Sequence, residues 1–273
     1  MSGTMQLENR TAVVTGAGSG IGRALAVSLG RRGCHLALAD INEAGLEQTA
    51  RMVEAPELRL SLHRLDVADR EAVAGFPEVV QDAHPGVDLL FNNAGVALGG
   101  TFEQVRLEDF EWLFEINFWG MVRMTRAFLP LLKASDDARV VNLSSVYGLA
   151  APPGQTAYAA SKFAIRGFSE ALRHELEGSA VGVTVVHPGG VATAIADSAR
   201  LPPGTPAGEA ARGRAAANKL LTMPPEEAGE IIVRGVERRL PRVLVGSDAK
   251  LLSLIVRLAP VSYWRLLRQF APR

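Results

Sequence analysis

Seven short apolar runs, four of them rich in β-branched residues, separated by longer amphipathic stretches, constrain this chain more than any other feature of its sequence. The runs cover residues 11–15, 35–40, 59–65, 87–91, 139–143, 181–187 and 242–245, and each reads as a strand. Between them, residues 21–32, 42–54, 69–83, 107–133 and 158–177 are long enough for crossover helices. Strands that read as nearly continuous apolar runs are covered on both faces. Right-handed crossovers then make a doubly wound, open, seven-stranded parallel sheet the economical topology, with ligands at the carboxyl ends of its strands.

Composition narrows the classes. With 48% apolar and 21% charged residues in 273, the chain can bury a large core and is not a disordered polymer. Its 29 basic and 29 acidic side chains cancel, so no overall field gathers nucleic acid, and no basic module for it is visible. The one cysteine, Cys34, cannot form an internal disulfide, and five scattered histidines offer no zinc framework. Neither a signal-like apolar run at the N-terminus nor an uninterrupted apolar stretch of about 18 residues is present. A cytoplasmic protein is expected. We divide it into one domain at 1–247, with a Pro- and Gly-rich insertion at 194–223 placed as a lid over the cleft, and an extension at 248–273.

The first strand runs into Thr15-Gly16-Ala17-Gly18-Ser19-Gly20-Ile21-Gly22. Glycines there allow a tight turn, let a pyrophosphate approach the backbone, and leave the N–H groups of a helix start free for phosphate. Gly16, Ser19, Gly20, Ile21 and Gly22 are therefore candidate dinucleotide contacts. The spacing is G-x-x-x-G-x-G rather than G-x-G-x-x-G, and alone it is weak evidence. Asp40 adds weight: it ends the second strand 18 residues after Gly22, where a carboxylate accepts from adenosine ribose hydroxyls and repels a 2′-phosphate. NAD is expected over NADP. The competing reading is that Asp40 only caps the next helix.

The most specific constellation follows the fifth strand. Ser145 is 13 residues before Tyr158, and Lys162 follows Tyr158 by four. On a helix those two share a face, so the ammonium is expected to lower the phenol pKa from about 10, with a bound nicotinamide cation acting in the same sense. The phenol becomes a proton shuttle, Ser145 holds the substrate oxygen, and Lys162 also reaches the nicotinamide ribose.

This set, with the glycine turn, resembles the short-chain dehydrogenase/reductase family from Arg10 to Gly246. Asn92-Asn93-Ala94-Gly95 resembles that family's N-N-A-G, Asp66-Val67 its adenine-contacting pair, and Pro188-Gly189-Gly190-Val191-Ala192-Thr193 its P-G-x-x-x-T turn beside the nicotinamide. The resemblance implies a Rossmann-like fold, cofactor contacts at Asp66, Val67, Asn93, Ala94, Gly95, Tyr158, Lys162, Pro188, Gly189, Val191 and Thr193, and a supporting role for Asn117, which would hold a water relaying protons to Lys162. Amid Trp112, Phe114, Phe118 and Trp119, Asn117 equally fits a satisfied polar group in a packed helix.

The resemblance further implies a homodimer or homotetramer through the aromatic helix at 107–133, for which burial within one subunit is the alternative. Val146, Leu149, Ala150, Gly190 and parts of the lid are the expected pocket walls, so the expected substrate is an apolar secondary alcohol or ketone, of steroid, retinoid or long-chain type. Two alternatives stand: a carrier-linked 3-oxoacyl reductase using NADPH, drawn by Arg200, Arg212, Arg214 and Lys219, and a non-catalytic NAD-sensing regulator. The extension at 248–273 is apolar and purely basic after Asp248. Membrane-surface contact, packing on a partner subunit and covering the pocket compete for it, with Pro260 breaking its helix.

Overall fold

The computed structural model describes residues 3–53 and 57–268; the last residue of the helix expected at 42–54 and the end of the C-terminal extension lie outside them. Seven parallel strands, β1 (Thr11–Thr15), β2 (His35–Asp40), β3 (Leu60–Arg64), β4 (Leu89–Asn92), β5 (Ala138–Leu143), β6 (Val181–Pro188) and β7 (Arg242–Val245), form one sheet in the order β3-β2-β1-β4-β5-β6-β7. Strand side chains alternate between the two faces. Ala12, Val14, Leu36, Leu38, Leu89 and Phe91 join one buried cluster, while Val13, Ala37, Ala39 and Leu90 join the other.

The first cluster is covered by α1 (Gly20–Gly30), α2 (Glu43–Met52) and α8 (Pro225–Glu237), the second by α3 (Arg70–Gln81), α5 (Met121–Ala134) and α6 (Thr156–Glu175). Phe128 of α5 is fully buried against Phe76 of α3, edge to face at 5.6 Å, a burial that contributes about 1.5–3 kcal/mol. The helix expected at 107–133 is instead three segments. α4 (Leu107–Phe114) passes through a π-helical stretch, Glu115–Gly120, into α5. The wider turn re-aims side chains within a continuous rod.

β1 lies between β2 and β4, so the chain switches direction across the sheet there and a crevice opens at the carboxyl ends of β1 and β4. The segment expected as a lid is pinned at both ends: Arg200 bridges to Leu98, and Met223 bridges to Val191. Between them α7 (Ala207–Asn218) buries none of its residues. Beyond β7, α9 (Ser247–Leu258) and α10 (Tyr263–Leu267) flank Pro260, which cannot donate to a continuing helix.

Candidate active site

At the end of β1, Gly16 adopts φ +65 and would bring a Cβ to 2.9 Å from Ala94 Cα, and a Cβ on Gly22 would lie 1.9 Å from the Gly16 carbonyl. Neither position has room for a side chain. Asn93 braces the same turn: its Nδ2 donates to the carbonyls of Thr15 (3.0 Å) and Gly16 (3.1 Å). The backbone N–H groups of Asn93 and Ala94 both donate to Thr15 Oγ1 at 3.1 Å. The hydroxyl of Ser19 makes no capping bond at the start of α1, which leaves the first-turn N–H groups of Gly20, Ile21 and Gly22 directed toward the crevice for an anion.

Asp40 is oriented toward this turn. Its Oδ2 accepts from Gly18 N and its Oδ1 from Asn42 N, each at 2.9 Å. Asn42 itself caps α2 by accepting from Gly45 N. The carboxylate thus supports both turn and cap, and its remaining lone pairs can still accept ribose hydroxyls. Just past β3, Asp66 accepts from Ala68 N and Val67 is buried where a Cβ on Gly120 would touch it. On the far side, Thr193 packs on Gly20, 3.0 Å from where its Cβ would be. A bare backbone cradle, free helix N–H groups and a carboxylate one strand away fit a dinucleotide. A cavity of about 680 Å³ flanks α1 beside Ser19, Gly20, Arg23 and Thr193; Ser145, Tyr158 and Lys162 do not line it.

Ser145, Tyr158 and Lys162 converge at the ends of β4 and β5. Lys162 Nζ donates to the Leu143 carbonyl at 3.0 Å and stands 5.5 Å from the centroid of the Tyr158 ring. A Cβ on Gly95 would lie 3.6 Å from that Nζ and 3.2 Å from Asn117 Oδ1. Asn117, buried on the π-helical stretch, accepts from Val96 N (2.8 Å) and donates to Val96 O (3.0 Å) and Ser161 Oγ (3.3 Å). It joins the loop after β4 to α6, beside Lys162.

The electrostatics correct one expectation. Burial pushes the Tyr158 phenol up to about 12; interaction with the Ser145 hydroxyl opposes this and Tyr147 adds to it. Burial also pushes Lys162 down to about 8. In the protein alone, burial dominates, so the phenol rests protonated.

Three residues of the site, His187, Tyr147 and Asp248, escaped the sequence reading, and a fourth, Arg200, was read only as a possible attractor of an acidic carrier. His187 is fully buried and donates from Nδ1 to the Ser145 carbonyl at 2.9 Å; a carbonyl only accepts, so the tautomer is fixed. Burial holds this imidazole down at about 4, hence neutral. Tyr147 packs its ring edge-on to Tyr158 at 6.0 Å. Asp248 accepts from Gly190 N at 2.7 Å, bracing the loop after β6. Arg200 of the lid pairs with Asp109 Oδ1 at 3.0 Å and lies 3.5 Å over the Trp112 ring. Only contacts distant in sequence mark these residues. Gly190, expected as a pocket wall, is instead pressed under the Leu220 carbonyl, which a Cβ would meet at 1.8 Å.

Residues 10–203 match the family model described as short chain dehydrogenase. The chain belongs to the short-chain dehydrogenase/reductase family. It is 43% identical over 261 residues to SadH of Mycobacterium tuberculosis, an oxidoreductase by name, covering 95% of this chain and 94% of that one. It is 35% identical over 203 residues to the 1-deoxy-11-beta-hydroxypentalenate dehydrogenase of Streptomyces exfoliatus, covering 73% and 74%. A solved family member from Burkholderia phymatum, in complex with NAD, superposes with a TM-score of 0.86 at 29% identity, covering 94% of this chain and 95% of that one. This short-chain dehydrogenase/reductase is accordingly an oxidoreductase of the nicotinamide-dependent type.

Proposed function

We propose that the protein transfers hydride between NAD and an apolar secondary alcohol or its ketone. The observation that carries this reading is the convergence of Ser145, Tyr158 and Lys162 beside the loop that also builds the dinucleotide turn. When bound, NAD supplies the hydride acceptor or donor and, oxidised, a positive charge near the phenol. Ser145 is assigned to hold the substrate oxygen, its backbone fixed through His187. Tyr158 is assigned to give a proton to that oxygen in reduction and to take it back in oxidation. Lys162 is assigned to the nicotinamide ribose and to Tyr158, and Asn117 to keeping the loop of Gly95 against both.

Asp40 supports NAD over NADP, since its charge faces the turn. The apolar surroundings of Tyr158 support an apolar substrate: its ring attaches to a buried cluster of Leu98, Leu113 and Ala157, with Val96, Val105, Phe110, Trp112 and Phe114 packed against it. The hydroxypentalenate named for the Streptomyces relative accords with an alcohol substrate. For a carrier-linked reductase, Arg200 is unavailable, being committed to Asp109 and Trp112. Half-exposed Trp119 and Phe163, at 46% and 40% exposure, support the expected homo-oligomer through this side of the molecule.

The test is a panel of apolar secondary alcohols with NAD and the matching ketones with NADH, followed at the nicotinamide absorbance. Turnover of at least one pair is expected, with Asp40→Ala lowering the preference for NAD over NADP at least about tenfold. Stronger use of NADP by the unmodified chain would overturn the cofactor reading. NAD binding without turnover of any pair would favour the regulator.

A further inference from the structure

The reading above uses none of the outward side chains of the C-terminal helices. α9 buries Ala249 and half-covers Leu252, Ile255 and Val256, so one side of it is docked on the protein. Two polar contacts fix that docking: Asp248 accepts from Gly190 N at its start, and the Tyr263 hydroxyl of α10 accepts from Ala151 N at 3.1 Å. On the other side, Leu251, Leu254 and Leu258 are spaced three and four residues apart and share a face. They are 59%, 53% and 75% exposed, and Val261 follows at 93%.

Charge indicates what covers this row. Lys250 and Arg257, seven residues apart, border the leucines along one edge, and Arg265 and Arg268 continue beyond Pro260, all exposed. Among the described residues none of the four forms an ion pair. No acid follows Asp248 in the sequence, so a chain of zero net charge carries a local positive excess here. A second copy meeting this face about a twofold axis would set these cations against themselves. An anionic lipid surface accommodates both features, with leucines entering the acyl boundary and long basic side chains reaching the phosphates.

We propose that the α9–α10 face docks on an anionic membrane surface through Leu251, Leu254, Leu258 and Val261, with Lys250, Arg257, Arg265 and Arg268 meeting the lipid phosphates. The protein lies on the bilayer: among the described residues no helix is long and apolar enough to cross it. Because the same helices are tied to Gly190 and Ala151, docking sets the crevice beside the lipid, where apolar alcohols and ketones concentrate. Docking itself does not depend on the reaction proposed above.

The experiment is co-sedimentation of the full chain with vesicles of phosphatidylcholine alone and of phosphatidylcholine mixed with phosphatidylglycerol, at about 0.1 M and about 1 M salt. Binding to the anionic vesicles at the lower salt is expected, with little to phosphatidylcholine alone and loss at the higher salt. Replacing Lys250 and Arg257 together by Gln is expected to lower partition about thirtyfold. Leu254→Gln with Leu258→Gln is expected to abolish it, with the thermal midpoint little changed because more than half of each residue is exposed to water. Equal binding to neutral and anionic vesicles, or none to either, would overturn the proposal. So would concentration-dependent self-association in lipid-free solution that the leucine replacements remove, since a second copy would then cover the face.

Discussion

At the residue scale, the site sets burial against charge. Tyr158 and Lys162 are both held away from their charged forms by dry surroundings, with pKa values near 12 and 8. This has a consequence for stability that is separate from activity. A lysine in the unfolded chain titrates near 10.4, so between about pH 8 and 10 the unfolded state binds more protons at this position than the folded one, and folding stability rises with pH. Lys162→Met removes that contribution. The thermal midpoint of the variant minus that of the wild type is expected to decrease by roughly 3–8 °C as pH rises from about 7 to about 9.5. A difference independent of pH would show that Lys162 is not a buried ammonium. The same opposition explains what spacing conveyed and what it did not: four residues on a helix put Lys162 near Tyr158, whereas the net effect on the phenol depends on how completely α6, Tyr147 and the loop after β4 exclude water.

At the scale of elements, Arg200 fastens the segment at 194–223, a lid in our reading, to α4. Its guanidinium stacks on Trp112 and pairs with Asp109, whose nearly inaccessible carboxyl is held below its usual range by Arg106 first and Arg200 second. Arg200→Ala is expected to raise KM for the apolar substrate at least about tenfold, with a smaller change in kcat, because the lid closes less often over the cleft. Arg200→Lys is expected to restore little, since an ammonium cannot stack flat and pair at once. An unchanged KM in both variants would show that the lid does not bound the substrate site. Strands β1, β2 and β7 were legible to the residue because short apolar runs end at glycine or acid turns there. The π-helical stretch was not: apolar periodicity through residues 107–133 looks the same with or without one wider turn, and only the bonds from Asn117 to Val96 and Ser161 give that turn a reason. Helix α8 escaped naming because it follows a segment whose composition resembles a loop, and the bracing role of Asp248 because its partner Gly190 lies 58 residues away.

At the scale of the whole molecule, the sheet order brings five separate loops to one edge: the glycine turn after β1, Asp40 at the end of β2, Gly95 after β4, Ser145 after β5 and Pro188 with Gly189 after β6. Each motif is weak alone. Parallel strands point all their carboxyl ends the same way, so five independent weak signals fall on one crevice. The long aromatic helix and the two C-terminal helices supply the remaining faces, one toward a second subunit and one toward lipid in our reading. The claim beneath these assignments is that Tyr158 exchanges the proton, and it is tested most directly by the turnover number of Tyr158→Phe with an alcohol or ketone that the wild type uses. A fall in kcat of at least about 100-fold, with NAD affinity within about twofold of the wild type, is predicted; turnover close to that of the wild type would contradict it.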